Sequence, residues 1–545
     1  MDRRIWLPFL WVILFISIMH PVFAQDTDVK KESERLARKI RFYADEFFRI
    51  GDFQQALQAY QDVDSISPDN PVVKLKLGIC NLELKNHERA LGLLKSLSES
   101  EKAPEKSRYH LARAYHINGM FFEAIQQLEL EQDFVMKQEK KDESYLEYIN
   151  VLIERCENGI WLTQSEIPNI VIENLGPKVN SPQSDYAPLI SRNENLLIFT
   201  SRRTHPNELP DPFSGESFED IYYSIRFNNE WAKSEPIGEN INSKGYHDAA
   251  VALSPDGSNL VVFKGGTAQL GARLVSNLMT SKRTPEGWSE PEMIEGKINS
   301  AYWEPSATIS DDENTMIFSS NKPGGYGGMD LYMVKKLPNG QWAEPFNMGG
   351  RINTPSDEDG PFLHPDGNKL YFSSKGHNSM GGYDIFITEY DEALESWILP
   401  RNMGSPINTP EDDIYFVWST DGERAYFSSE REDSQGKTDI YLLSRQDDHL
   451  ADVYLNASLI ESSDKVPMKA AIRIRDSFSN FIVHIVNTNA EDGKFDVVLK
   501  SGRKYLFEIT PENQPTIYMD VLVPEFEEFQ AYEKTYYIDK TVIRQ

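Results

Sequence analysis

The sequence predicts a multidomain chain of α and β parts: an N-terminal array of helical hairpins, a radially repeated β region and a small C-terminal β-sandwich. Three observations predict it. Alanines recur every 34 residues near the start, at Ala56, Ala90 and Ala124. An Asn-Ser or Asn-Thr pair recurs at Asn180, Asn242, Asn299, Asn353 and Asn408, at intervals of 62, 57, 54 and 55 residues. Short runs of alternating apolar and polar residues fill positions 451–545. A chain of 545 residues that is 40% hydrophobic and 11% aromatic needs several cores rather than one.

The first element is "MDRRIWLPFLWVILFISIMHPVFAQ". Arg3 and Arg4, an apolar run from Ile5 to Met19 and the small-residue site Val22-Phe23-Ala24 read as a signal peptide over 1–24, with Gln25 as the new N-terminus. The run is short for a spanning helix, and no Cys follows it to carry a lipid anchor. The expected location is therefore the periplasm, with outer-membrane association only through partners and no membrane span in the mature chain. A formal charge of −29 excludes a general nucleic-acid binder, which needs a basic face. Only Cys80 and Cys156 are present, both in helical sequence, and they read as buried small hydrophobes rather than a bridge.

Residues 30–158 form the second element. "GDFQQAL" (51–57) matches "GMFFEAI" (119–125), with "KNHERAL" (85–91) as the weaker middle copy. Small residues also recur in the preceding helices, at Ala44, Gly78 and Ala112. Small residues at this period allow paired helices to cross closely, and the stretch resembles three tetratricopeptide repeats, with Pro68 ending the first. The helix "DESYLEYINVLIERC" (142–156) would cap the last. Such arrays imply protein or peptide partners.

The third element, 159–447, repeats a strand, a polar turn and a second strand: "LLIFTS", "LVVFKG", "TMIFSS", "KLYFSS" and "RAYFSS", aligned on Phe199, Phe263, Phe318, Phe372 and Phe427. The turns include "SPDG", "HPDG" and "STDG", where Asp-Gly favours a hairpin. A third strand opens at Asp220, Asn277, Asp330, Asp384 and Asp439, and in four copies a Trp-bearing segment follows. Four strands per repeat, radially repeated, predict a β-propeller of five blades, with six as the alternative. The last copy lacks its fourth strand, and "PNIVIENLGPKVNSP" (168–182) matches the missing piece, so an N-terminal strand should close the ring.

"PGGYGGMDLYM" (323–333) could suggest a phosphate-binding loop, but it recurs as "NSMGGYDIFI" and "DSQGKTDIYL" with no helix behind it, so its glycines read as turn chemistry. The fourth element, 451–545, carries "AAIRIRD", "KFDVVLK" and "KYLFEIT" with turns at Asp492-Gly493 and Ser501-Gly502, as a small antiparallel sandwich would.

The propeller copies resemble the TolB-type family in "SPDG…LYFSS…YDIF", and the last part resembles a carboxypeptidase-regulatory-type sandwich in "EDGKFDVVLKSGRKYLFEI". The whole order is similar to Bacteroidetes cell-envelope proteins, some with an OmpA-like domain and one subgroup in type IX secretion and gliding. The resemblance implies a non-catalytic periplasmic scaffold for protein–protein interactions, whose partners are envelope or secretion-system proteins. The chain reaches Gln545 directly after the sandwich, without that OmpA-like domain, so peptidoglycan contact would come only through a partner.

One set of residues stands out as a candidate site. A carboxylate follows each repeated Asn by five or six positions: Asp185, Asp248, Glu304, Asp359 and Asp413. Converging at one mouth of a central channel, they could hold Ca²⁺ or face a basic partner. The alternative is that each bonds the amides of its own turn. The third-strand Asp residues read as structural for the same reason. His247 beside Asp248 reads as an incidental pair. There is no G-x-S-x-G and no H-E-x-x-H, and the expectation is no enzyme and no cofactor beyond that Ca²⁺. The rival is a carbohydrate-binding or glycoside-processing propeller, since paired carboxylates would suffice for it.

Overall fold

The computed structural model describes residues 26–98, 100, 102–164, 170–204, 210–211, 215–266, 275–445, 450–512, 514–526 and 528–538. The export segment expected at 1–24 lies outside the described residues. The chain divides into two bodies, one up to Cys156 and one from Glu157.

In the first body, helices α1 (Asp26–Arg49) and α2 (Phe53–Ile66), α3 (Pro71–Glu83) and α4 (His87–Ser98), and α5 (Ser107–Ile117) and α6 (Phe121–Met136) pair as hairpins; α7 (Glu143–Thr163) follows, and the division falls within it. The 34-residue pattern marks the crossings: Ala44, Ala56, Ala90, Ala112 and Ala124 are all 0% exposed. At Gly78 a Cβ would lie 2.6 Å from Leu94 Cδ2, so α3 and α4 approach this closely only because the side chain is missing. Asp52 caps α2 by accepting from Gln55 N at 3.1 Å. Asn70 caps α3, with Pro71 in the first turn where no amide donor is needed. Cys80 and Cys156 form no disulfide and are both 0% exposed, Cys80 within the apolar core of the first two hairpins.

In the second body, five antiparallel sheets form a closed ring. We letter the strands of each blade a to d from channel to rim. Strands a, b and c are Asp185–Ile190, Leu196–Ser201 and Asp220–Phe227 in blade 1; His247–Leu253, Asn259–Gly266 and Val275–Thr284 in blade 2; Ala307–Ile309, Thr315–Ser320 and Asp330–Lys335 in blade 3; Glu358–Leu363, Lys369–Ser374 and Asp384–Asp391 in blade 4; and Asp413–Trp418, Arg424–Ser429 and Asp439–Arg445 in blade 5. The d strands of blades 1 to 4 are two-residue pieces at the rim, such as Ser396–Trp397 and Phe346–Asn347. Blade 5 takes its d strand from Ile170–Asn174, which runs antiparallel to Asp439–Arg445 from Ile170↔Arg445 to Asn174↔Tyr441. The N-terminal strand closes the ring at five blades, and no sixth forms among the described residues.

One alignment is corrected. Asp384 pairs with Ser374 and Asn277 with Lys264, so Phe372 corresponds to Val262 and not to Phe263. Phe263 is one residue further on and turns to the opposite side of its blade, joining the cluster with Phe318 between blades 2 and 3. The turns "SPDGSNL" and "HPDGNKL" have the same length and Leu260 answers Leu370, so the phase is unchanged and the aromatic itself stands one position later in blade 2.

Residues 450–538 build two sheets, one of three strands and one of four, around a core that includes Leu455, Ile472, Phe495 and Phe507. The turn Asp476–Phe481 docks this sandwich on blades 4 and 5. Phe478 packs 5.5 Å from Trp418 and Phe481 packs 4.5 Å from His364, centroid to centroid. Asp476, 1% exposed, receives both Nη atoms of Arg445 at 2.5 and 2.8 Å. Arg475 pairs with Asp366 at 3.2 Å and Arg503 with Glu423 at 2.8 Å.

Candidate functional site

The repeated Asn is a clamp between blades. Asn180 Oδ1 accepts from Ile440 N and its Nδ2 donates to Ile440 O, both at 3.0 Å. The same two bonds join Asn242 to Ile221, Asn299 to Leu278, Asn353 to Leu331 and Asn408 to Ile385. A primary amide offers one acceptor and two donors side by side, so it satisfies both main-chain groups of one strand-c residue. No other side chain of that size except Gln does this.

The carboxylate that follows organises its own turn. Asp185 accepts from Ser181 N at 2.6 Å and Ser181 Oγ at 2.7 Å, and pairs with Arg203 at 3.1 Å. Asp413 accepts from Thr409 N (2.6 Å), Thr409 Oγ1 (2.8 Å) and Ser429 Oγ (2.5 Å), and pairs with Arg431 at 3.4 Å. Glu304 accepts from Ser300 Oγ and from Ser320 Oγ at 3.0 Å. Asp248 accepts from Ser243 N and pairs with Lys264 at 2.8 Å, the lysine standing where blades 3 to 5 have Ser320, Ser374 and Ser429. In blade 4 this place belongs to Glu358, which accepts from Thr354 N (2.9 Å), Thr354 Oγ1 (2.6 Å) and Ser374 Oγ (2.7 Å). Asp359, the residue chosen from spacing, instead faces blade 3, taking Ser306 Oγ and Ser319 Oγ, the latter at 2.7 Å. Counting from Asn353 cannot separate adjacent acids, whereas the strand pleat sends them to opposite sides.

All six are 6% exposed or less. Burial pushes their pKa values up against these hydrogen bonds: Asp248 and Asp413 to about 6, Glu358 to about 7, and Asp185, Glu304 and Asp359 in the same direction. Among the described residues no three His, Cys, Asp or Glu side chains come together to hold a metal ion.

The strand-c Asp takes up the amides of the glycine-rich loop. Asp330 accepts from Tyr326 N at 2.7 Å and Gly327 N at 2.9 Å, and Asp439 from Gln435 N at 2.7 Å and Gly436 N at 3.2 Å. An internal carboxylate thus sits where a bound phosphate would have to sit. The glycine three residues before each Asp has a further reason. A Cβ at Gly327, Gly381 or Gly436 would fall 1.8, 2.2 or 2.0 Å from a main-chain oxygen of the next blade's Asn turn.

A second polar group at the same mouth escaped the periodic reading. Tyr186 Oη donates to Glu219, Arg202 donates to it at 2.7 Å, and His247 Nδ1 lies 3.1 Å from Glu219 Oε2. His247 therefore partners Glu219 and not its neighbour Asp248. Burial alone would raise Glu219, but His247, Arg202 and Tyr186 together hold it below the usual carboxylate range. Burial holds the phenols of Tyr186 and its stacked neighbour Tyr415 well above theirs, so both stay neutral. Phe218 packs 5.0 Å from His247. Tyr186 and His247 stand on the a strands of blades 1 and 2, and Arg202 and Glu219 flank strands b and c of blade 1, but their residue types do not recur from blade to blade, and the adjacency of His247 to an acidic residue was the one signal available. A small cavity of about 30 Å³ lies among Ala187, Leu189, Val251, Ala307, Pro361 and Val417 of the five a strands.

A tetratricopeptide-repeat family profile matches residues 49–115. No curated protein matches the chain in sequence. Among solved structures, a TolB protein of Agrobacterium tumefaciens is similar at 14% identity, covering 61% of this chain and 97% of that one, with a TM-score of 0.30. An endo-arabinase of Bacteroides thetaiotaomicron (13% identity, 50% and 97% coverage, TM-score 0.34) and an α-L-arabinofuranosidase of Lactobacillus brevis (14%, 48% and 90%, 0.33) are also similar. The chain thus combines an N-terminal helical repeat array with a β-propeller. The ring of paired sheets establishes the propeller, and these distant similarities carry no chemistry across.

Proposed function

We propose that this chain is a non-catalytic periplasmic scaffold that joins proteins in a cell-envelope assembly. The family resemblance points to the type IX secretion and gliding machinery as that assembly. One observation carries the reading: the helical array leaves large apolar side chains in solvent. Phe42 and Tyr148 are each 64% exposed and Phe122 is 66% exposed, while Leu130 and Phe134 stand exposed one turn apart on α6. The internal use of the propeller carboxylates supports the same reading, because ion-paired or hydroxyl-bonded acids are poorly placed to serve as acid and base. Among the described residues no helix is long and apolar enough to cross a membrane.

The test is cross-linking in intact envelopes, followed by affinity capture and mass spectrometry, comparing the native chain with a Phe122→Ser, Phe134→Ser variant. Secretion or outer-membrane proteins recovered with the native chain and lost with the variant are expected. Turnover of a glycan by the purified chain, abolished by a single carboxylate substitution, would overturn the reading.

A further inference from the structure

The chain leaves Asp359, at the channel mouth, without a cation of its own. Glu219 is met by Arg202 and His247, and Asp357 by Lys375 at 3.2 Å. Asp359 has no such partner among the described residues. Its Oδ1 takes three donors, the hydroxyls of Ser306 and Ser319 and, at 2.8 Å, the N–H of Gly360. Its Oδ2 takes none from the described residues, and this oxygen stays open to solvent although the residue is only 6% exposed. A carboxylate this buried gains when a cation reaches it.

Tyrosines stand beside it. Tyr415 fills the extra position in strand a of blade 5 that Ala187 and Gly360 fill in blades 1 and 4, and all three have left-handed φ angles, 60°, 54° and 56°. A bulky residue seldom takes that conformation. Here it turns the Tyr415 ring to the inside of the propeller, where it stacks on Tyr186 with centroids 6.1 Å apart. A Cβ at Gly360 would lie 3.0 Å from Tyr415 Cδ1, and Asp359 adjoins that glycine. The charge of Asp359 acts on the phenols of Tyr383 and Tyr415 more than any other does. Neither hydroxyl has a hydrogen-bond partner among the described residues. The chain itself shows how this mouth holds a cation: Lys375 Nζ lies 4.4 Å over the Tyr383 ring while it pairs with Asp357.

Resting on the scaffold reading, we infer that the channel mouth takes an arginine side chain of a protein partner, its guanidinium meeting Asp359 Oδ2 and the hydroxyls of Tyr383 and Tyr415. A guanidinium carries five donors and no acceptor, which matches one anionic oxygen and two phenol oxygens that receive no donor. It also stacks on aromatic faces and is less strongly hydrated than an ammonium. Ca²⁺ is the poorer occupant, because it takes roughly six to eight oxygens and Asp359 offers a single free one. The formal charge of −29 draws a basic partner toward the chain from a distance.

The experiment uses the full chain and a fluorescently labelled heptapeptide of alternating glycine and arginine, read by anisotropy, with a citrulline version as the neutral control. Saturable binding that weakens as salt rises is expected of the arginine peptide alone. Asp359→Asn keeps an acceptor for the serine hydroxyls but removes the charge, and it should weaken binding about tenfold, the equivalent of 1.4 kcal/mol. Tyr415→Phe, which keeps the ring and loses the hydroxyl, should weaken it to a lesser degree. Glu533→Gln, at an exposed acid of the sandwich, should leave it unchanged. Thermal melting checks that the variants fold, and Tyr415→Phe carries the test if Asp359→Asn does not. Absence of saturable binding overturns the inference, as does equal binding of the citrulline peptide. Equal weakening by Asp359→Asn and Glu533→Gln also overturns it, since the peptide would then be answering the overall charge of the chain. None of these results touches the scaffold reading, which is tested by cross-linking through the helical array.

Discussion

Asn180→Ala is the sharpest probe of how the ring is held. Asn180 is 3% exposed and bonds both main-chain groups of Ile440, on the strand c that the N-terminal strand must meet. Alanine leaves the Ile440 N–H without that partner and removes the amide's bonds to Ile440 O and to Asn174 Oδ1, while Ile440 O keeps Leu175 N at 3.1 Å and Asn174 Oδ1 keeps Gly176 N at 2.8 Å. One orphaned main-chain N–H at about 1–3 kcal/mol, with two further lost hydrogen bonds at about 0.5–1.5 kcal/mol each, gives about 2–6 kcal/mol. Asn174 is partly exposed and can let water reach the gap, so the lower half, about 2–4 kcal/mol, is expected. In guanidinium chloride this is a midpoint shift of roughly 0.5–1 M. The assay is unfolding followed by tryptophan fluorescence, with amide hydrogen exchange at 171–174 and at Ile440. Asn299→Ala, which removes the equivalent bonds to Leu278 inside the ring, is the control. Both variants should lose stability, but only Asn180→Ala should lose protection along 171–174, because only there does the clamp hold a free strand to the ring. A midpoint shift equivalent to less than about 0.5 kcal/mol, or an Ile440 amide as protected as before, would refute the reasoning.

Further outcomes follow from the same structure. Gly381→Ala places a Cβ 2.2 Å from Pro410 O and should destabilise the propeller by about 2–4 kcal/mol, read as a lower melting temperature; an unchanged one would refute the close approach. Burial puts Glu358 at about 7 and Asp384 at about 8, above their unfolded values near 4, so the native state binds more protons than the unfolded state. Stability should therefore fall as pH rises from about 5 to 8, against the weaker opposite trend of Asp366 (about 2) and Glu219, which act only at lower pH. Thermal melts across that range check it, and Glu358→Gln should flatten the slope. Arg445→Ala leaves the buried Asp476 without its two-pronged partner and should loosen the sandwich from blades 4 and 5; faster amide exchange at Phe478 and Ser479, whose N–H groups Asp476 accepts, is the readout. Asp185→Asn keeps its acceptor oxygen toward Ser181 but loses the pairing with Arg203, so it should melt earlier in a way that added Ca²⁺ does not rescue.

Local periodicity was enough to read the architecture from the sequence. Alanines 34 residues apart marked the helix crossings because a close crossing excludes every larger side chain, a constraint that acts at each position alone. The recurring Asn, Asp-Gly turns and strand-c Asp marked the blades for a similar reason, since each serves its own turn or the one strand beside it. The closing strand was legible too, because 168–176 keeps the pattern of the blade it completes. Only the tertiary structure decided which side each residue faces and what lies across from it. It set Glu358 against Asp359 and Val262 against Phe263, since one step along a strand reverses a side chain. It joined Tyr186, Arg202, Glu219 and His247, which share no spacing because they meet only where blade 1 packs against blade 2. It also showed that Asp185, Asp248, Glu304 and Asp413 each bond their own turn, while Asp359 turns to Ser306 and Ser319 of blade 3. Charge convergence depends on distances across the ring, and a linear repeat carries no record of those distances.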